Sequence, residues 1–230
     1  MNLLAIDTSG SACSAALWLD GALSQRLETA PRRHGELILS MMDALLADAG
    51  LDLRALDCLA FGHGPGSFTG LRIAAAVVQG AAFSADLPVV GVSTLAALAQ
   101  GCRRGVGASR VLCAFDARMD EVYWGAYAAD AGGLMRPLLA DAVCPPEAVE
   151  APADAGHAWH GAGSGFAAYR EQLLSRVRVR IEGLEPQREC EAADVAILAA
   201  DAYQRGEARA PEDALPVYLR NRVTAPAPVG

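Results

Sequence analysis

The sequence contains no lysine; all 19 of its Lys+Arg residues are arginine. That absence removes Schiff-base lysine chemistry, the Walker-A lysine and the kinase-type phosphate lysine, although coding bias at the source would leave the same mark. Paired cysteine motifs are also missing. Cys13, Cys58, Cys102, Cys113, Cys144 and Cys190 form no CxxC and lie scattered in apolar runs. They read as reduced, buried small hydrophobes of a cytoplasmic protein. No HExxH and no cysteine cluster suggests a metal site. The opening Met1 to Asp7 lacks a basic segment and meets an acid early, so no signal peptide is expected. The longest uncharged run, Leu87 to Cys102, is broken by Pro88 and Gly91 and is too short to span a bilayer. Positive charge is in deficit as well. With 27 Asp+Glu the net charge is −8, which argues against an autonomous nucleic-acid binder, though a local patch at Arg176, Arg178 and Arg180 could touch phosphates.

What is present is a large apolar fraction, 53% of 230 residues, enough for one large domain or two small ones. Leu3 to Ile6 reads as a buried strand ending at Asp7-Thr8-Ser9-Gly10, and Asp20-Gly21 marks a hairpin between Cys13–Leu19 and Ala22–Leu27. After Pro31 a helical pattern runs from about Arg33 to Ala49 and stops at Gly50. A strand at Leu56–Phe61 leads through a glycine loop into a helix capped by Ser67 or Thr69 and running to Ala85. A short strand at Pro88–Val92 and a helix from Ser93-Thr94 to near Gly101 follow.

The pattern then restarts. Arg110 to Phe115 ends at Asp116, 109 positions after Asp7, and a second hairpin pattern follows. This is a repeat of pattern, not of residues. It predicts two duplicated α/β subdomains, the second reduced, over residues 1–104 and 105–223. Loops are expected at Pro145–Pro152 and Gly161–Gly165, helices at Phe166–Val177 and Ala192–Gln204, and a disordered tail at 224–230.

Two acid turns and one glycine loop are the candidates for chemistry. Asp7-Thr8-Ser9 and Asp116 sit at the carboxyl ends of strands, where α/β proteins bind ligands. Facing acids could hold a metal-bound nucleotide; equally, each could cap its own turn, and spacing favours the cap. The loop Gly62-His63-Gly64-Pro65-Gly66-Ser67-Phe68-Thr69-Gly70 opens a helix and could offer backbone N–H groups to an anion. Its glycine spacing is not that of a P-loop, and Ser67 is not in a G-x-S-x-G elbow; a tight strand-to-helix turn is the plainer reading. His157 and His160, three apart, read as surface or turn residues.

The two N-terminal helices are too apolar for their setting. Leu37, Ile38, Met41, Met42, Leu45 and Leu46 cover about half of the first, and Arg72 is the only charge on the second. A helix apolar all round needs cover on every side, and two small halves offer little core to hide it. A protein–protein surface is therefore favoured over a central core helix.

Taken together, Leu4-Ala5-Ile6-Asp7-Thr8-Ser9, Gly64-Pro65-Gly66-Ser67-Phe68-Thr69-Gly70-Leu71-Arg72-Ile73, Val92-Ser93-Thr94-Leu95 and Asp116-Ala117-Arg118-Met119-Asp120-Glu121-Val122-Tyr123 resemble the TsaB (YeaZ) family. The likeness is dense over about 130 residues and thins to Pro216-Val217-Tyr218-Leu219-Arg220. It implies an actin- and Hsp70-like ATPase (ASKHA) fold and a non-catalytic subunit that serves threonylcarbamoyl transfer to the adenosine beside the tRNA anticodon. Its implied partners are TsaD, in a heterodimer, and the P-loop ATPase TsaE, with a homodimer when alone. The resemblance puts the interface on the two apolar helices, at His34, Leu37, Met41, Leu45, Arg72, Ile73, Ala76, Val77 and Gly80. TsaD carries a histidine pair four apart on the first of these helices; here the pair is reduced to His34 and Ile38, so no metal and no catalytic residue is expected. Asp7, Thr8, Ser9 and Asp116 would form a vestigial nucleotide cleft with no cofactor, or with weak ATP or ADP binding. The alternatives are an ATP-binding phosphotransferase or ATPase using Asp7 and Asp116 around Mg²⁺, and a peptidase.

Overall fold

A computed structural model describes residues 1–29, 32–153 and 156–220. Pro31 and the 224–230 tail of the sequence analysis lie outside them.

The first lobe grows from β1 (Asn2–Asp7), whose residues are apolar at every position but the ends. Such a run suits a strand covered on both faces. Leu4 and Ile6 join one core, while Leu3 and Ala5 join another on the opposite side. Antiparallel β2 (Ala12–Leu19) and β3 (Ala22–Thr29) extend the sheet one way, and parallel β4 (Cys58–Gly64) and β5 (Val89–Ser93) extend it the other. The order is β3-β2-β1-β4-β5. One face is covered by α1 (His34–Ala49) and α2 (Phe68–Ala85). Gly50 ends α1 at φ +65°, a left-handed stop that glycine takes without steric cost. Ser67 caps α2 by accepting from the Gly70 N–H.

The second lobe repeats this plan. β6 (Arg110–Arg118) pairs antiparallel with β7 (Glu121–Ala129), which continues to β8 (Met135–Pro137) and also pairs with β9 (Ala142–Cys144). On the other side β6 pairs in parallel with β10 (Ala158–Ala162) and then β11 (Arg180–Glu185). The order β8-β7-β6-β10-β11 is that of the first sheet, with β6 standing where β1 stands. The second half is thus reduced in its helices and not in its sheet. The expected loop at Gly161–Gly165 is instead the end of β10 and the start of α4 (Ser164–Ala168), followed by α5 (Arg170–Val177).

Two helices sit between the sheets and exchange lobes. α3 (Thr94–Val106) leaves the first sheet but packs Leu95, Leu98, Ala99 and Cys102 on Val111, Cys113 and Tyr127 of the second. It runs past Gly101, where the expected helix stopped, because the missing Cβ leaves room for the Asp194 and Arg188 side chains. α6 (Ala192–Gln204), inside the 105–223 segment, packs on the first sheet. Its alanines bring the helix close, and first-lobe side chains cap its start: the Ala192 and Ala193 N–H groups donate to Ser14 Oγ (2.9 Å) and Gln25 Oε1 (2.8 Å). The layers therefore run α1/α2, first sheet, α3/α6, second sheet, α4/α5.

Candidate functional site

The outward side of α2 is the most distinctive surface. Ala74, Ala75, Val78 and Ala82 turn into the first core, and Leu71 is buried as well. That leaves Arg72, Ala76, Gly80 and Phe83 exposed, with Ile73 and Val77 half-buried beside them. The spacing of three and four residues makes one stripe. Phe83 is 59% exposed, and a Cβ on Gly80 would meet nothing within 4 Å. Another backbone can approach closely there. α2 is also the one helix among the described residues long and apolar enough, by length and composition, to cross a membrane, but its inner face belongs to the core.

The expected interface divides on inspection. Arg72, Ile73, Ala76, Val77 and Gly80 line the outer stripe, whereas Leu37 is half-buried in a groove between α1 and β3, with Gln25 to Glu28, Ser40 and Ala44. His34, Met41 and Leu45 instead face inward and are buried. Burying side chains of the size of Met41 and Leu45 stabilises the lobe by roughly 1.5–3 kcal/mol each, so those two are committed to the core. On α1 the exposed apolar residue is Leu39, 54% exposed, which the count of apolar residues missed because periodicity alone does not show which side faces the sheet.

The Asp7 turn is closed. The Ser9 N–H and Oγ both donate to Asp7 Oδ1, at 3.1 and 2.9 Å. Asp7 Oδ2 is buried with no hydrogen-bond partner among the described residues, and a Cβ on Gly62 would collide with it. Burial pushes the Asp7 carboxyl up to about 7. The glycine loop presses on this turn: Thr8 Oγ1 donates to the Gly70 carbonyl at 2.7 Å, and the Ser67 N–H donates to the Ser9 carbonyl at 2.8 Å. Glu189 closes the near side, accepting from Ser11 Oγ and from the Ala12 N–H. The loop's glycines thus serve backbone-to-backbone packing, as the plainer reading had it.

Asp116 occupies the matching place in a different setting. It accepts from the Arg118 N–H at 2.8 Å and pairs with the Arg118 guanidinium at 2.9 Å. Both acids cap their own turns, and no described hydrogen bond or ion pair links the two. Arg176, Arg178 and Arg180 are exposed.

The segment ending at Arg220, which had no role in sequence, is a strap between the lobes. The Val217 N–H donates to the His63 carbonyl at 2.8 Å. Tyr218 packs on Phe68 and accepts from Arg72 Nε at 3.1 Å, while the Arg72 guanidinium lies 3.5 Å from the Phe68 ring centre. Arg220 then pairs with Glu121 and donates to the Ala117 carbonyl at 3.0 Å on the second hairpin. The N-terminal end of the α2 stripe is held by this strap.

The two histidines read as surface or turn residues divide. His157 is exposed, but His160 lies on β10, only 8% exposed, and is neither a surface nor a turn residue. Its strand is buried between α3 and α4, which a short Gly- and Ala-rich run does not announce.

Two like-ordered sheets, each with a strand-end acid turn, and helices exchanged between them define a duplicated α/β protein of the actin- and Hsp70-like ATPase fold. The model of the family "TsaD: tRNA N6-adenosine threonylcarbamoyltransferase" matches residues 28–221. The tRNA threonylcarbamoyladenosine biosynthesis protein TsaB of Escherichia coli is 42% identical over 226 residues, covering 97% of this chain and 96% of that protein. The protein of the same name from Haemophilus influenzae is 37% identical and covers 97% and 95%. A solved structure of YeaZ from Pseudomonas aeruginosa is 48% identical with a TM-score of 0.88, covering 95% and 99%. The chain belongs to the TsaB (YeaZ) family.

Proposed function

We propose that this chain is a non-catalytic partner subunit in tRNA threonylcarbamoyladenosine biosynthesis. It docks on TsaD through the outer stripe of α2, forms a homodimer through the same stripe when alone, and meets tRNA only through the complex. TsaE joins that assembly, which is cytoplasmic and makes no use of a membrane. The exposed Arg72, Ala76, Gly80 and Phe83 stripe is the observation that carries the reading. The closed Asp7 turn supports it, since Ser9 occupies Oδ1 and Gly62 packs against the buried Oδ2. Asp116, held by Arg118, leaves no second free carboxylate for Mg²⁺.

Light scattering after size exclusion, on this chain alone and mixed with TsaD, tests the proposal. Ala76→Glu places a charge on the stripe without touching the core. Burying an unpaired charge in an interface costs roughly 3–5 kcal/mol, so both assemblies are expected to dissociate while the thermal transition of the monomer stays in place. Undiminished assembly of that variant would overturn the reading. Met41 is unsuitable for this purpose, because a charge there would damage the fold.

A further inference from the structure

We infer that Cys102, His160 and Glu185 form a zinc site that clips α3 to the second sheet. The three come from α3, β10 and the end of β11, and their ligand atoms all lie within 4.8 Å of one another. Cysteine, histidine and a carboxylate are the donor types that zinc combines, with water as the fourth ligand.

Geometry supports the assignment. His160 Nε2 stands 3.4 Å from Glu185 Oε2. Two ligands about 2.0–2.1 Å from a tetrahedral zinc are separated by roughly 3.3–3.4 Å. His160 is more than nine-tenths buried, and its Nε2 has no hydrogen-bond partner among the described residues, so a buried nitrogen lone pair or N–H points into the cluster. The ring is aimed from behind. Its Nδ1 edge lies against Gly183, where any Cβ would collide with the imidazole. On the carboxylate side, Arg188 Nε donates to the same Glu185 Oε2 at 2.8 Å and fixes the orientation of the carboxylate.

Charge points the same way. Arg188 faces Asp194, Asp194 pairs with Arg104 at 2.8 Å, and Arg104 pairs with Glu191 at 2.9 Å. Glu185, Asp194 and Glu191 against Arg104 and Arg188 leave one negative charge. Binding releases the Cys102 proton to solvent and adds a second, and one divalent cation neutralises both. Zinc fits a thiolate, an imidazole and a carboxylate better than magnesium or calcium, which prefer oxygen alone.

The test uses the purified full chain, stripped with chelator and titrated with Zn²⁺ against a competing zinc dye, and with Co²⁺ followed by absorbance. One equivalent of Zn²⁺ is expected, together with a thiolate-to-cobalt band in the near ultraviolet and a raised thermal transition. Cys102→Ser should abolish the cobalt band, and His160→Gln should weaken zinc at least tenfold. Cys144→Ser, half-buried and outside the cluster, should change neither. No stoichiometric uptake by the parent chain, or a band that survives Cys102→Ser, overturns the proposal. If that variant fails to fold, His160→Gln decides alone, and unchanged zinc affinity there overturns it.

Discussion

The two lobes share a sheet and differ in what is laid on it. After β4 the first lobe carries α2, 18 residues long; after β10 the second carries α4 and α5, of five and eight. Before β4 stands α1, 16 residues, and before β10, among the described residues, only a single 3₁₀ turn at Pro146–Ala148. The strand order is retained because each strand's apolar pattern must match its neighbours, whereas helices on an outer layer can lengthen or shrink without disturbing the register. The long outer helices, and with them the exposed α2 stripe, belong to the first lobe. The acid turns differ in the same spirit. Asp7 is sealed with one oxygen unpaired, and Asp116 is half-buried and paired with the exposed Arg118.

The strongest way to break this comparison is at the glycines that seat each loop on its first strand. A Cβ at Gly70 would overlap the Thr8 carbonyl, and one at Gly163, at φ +99°, would overlap the Ala114 carbonyl. Gly70→Ala and Gly163→Ala are each expected to cost about 3 kcal/mol in urea unfolding. If one is tolerated, the lobes do not close their turns alike.

A sharper contrast lies in the acids. The Asp7 carboxyl, raised from 3.8 to about 7, keeps a proton that the unfolded chain releases. Its contribution to stability therefore falls as pH rises from about 4 to about 7, and the cost of the buried charge is complete above that. The displacement caps the gain from removing the charge at about 4 kcal/mol. Asp7→Asn leaves an amide short of partners, so about 1–2 kcal/mol of added stability at pH 8 is expected, turning into a loss of about 2–3 kcal/mol near pH 4. Asp116→Asn should instead lose about 1 kcal/mol or less, since the Arg118 partner is 85% exposed and such a pair is worth little. Chemical denaturation across pH separates the two.

Arg220→Ala cuts the strap from the second lobe and should cost about 1 kcal/mol, readable as a lower denaturation midpoint with unchanged slope. The last test concerns His63. Burial lowers its imidazole from 6.5 to about 4, so stability is lost as pH falls through that window. This slope opposes that of Asp7 over nearly the same range. His63→Gln should make the chain more stable toward pH 5 than at pH 7, which the parent masks.

Much of the architecture was legible because it is local. The apolar run before Asp7, the Asp20-Gly21 turn and the Gly50 stop each specify their element from adjacent residues. The repeat was visible through Asp7 and Asp116, since both end a strand. The strands β10 and β11 were not, because Ala158–Ala162 is short and Arg180–Glu185 alternates with charge. Nor could spacing show that Met41 turns inward and Leu39 outward, since both belong to one apolar sequence and only the sheet decides between them. The Cys102, His160 and Glu185 cluster was hidden for a related reason. Its members are far apart in sequence and meet only through the register of β10 with β11 and the packing of α3.

The exchange of α3 and α6 also sets a timetable. The last strand of the first sheet is complete at Ser93, but the helix that covers its inner face begins at Ala192, about a hundred residues later. At 5–20 residues per second, a ribosome needs roughly 5–20 s to deliver it. Throughout that interval Leu3, Ala5, Ala60 and Val90 form an uncovered apolar plane on the nascent chain. The first lobe therefore lacks its full core until α6 has been made.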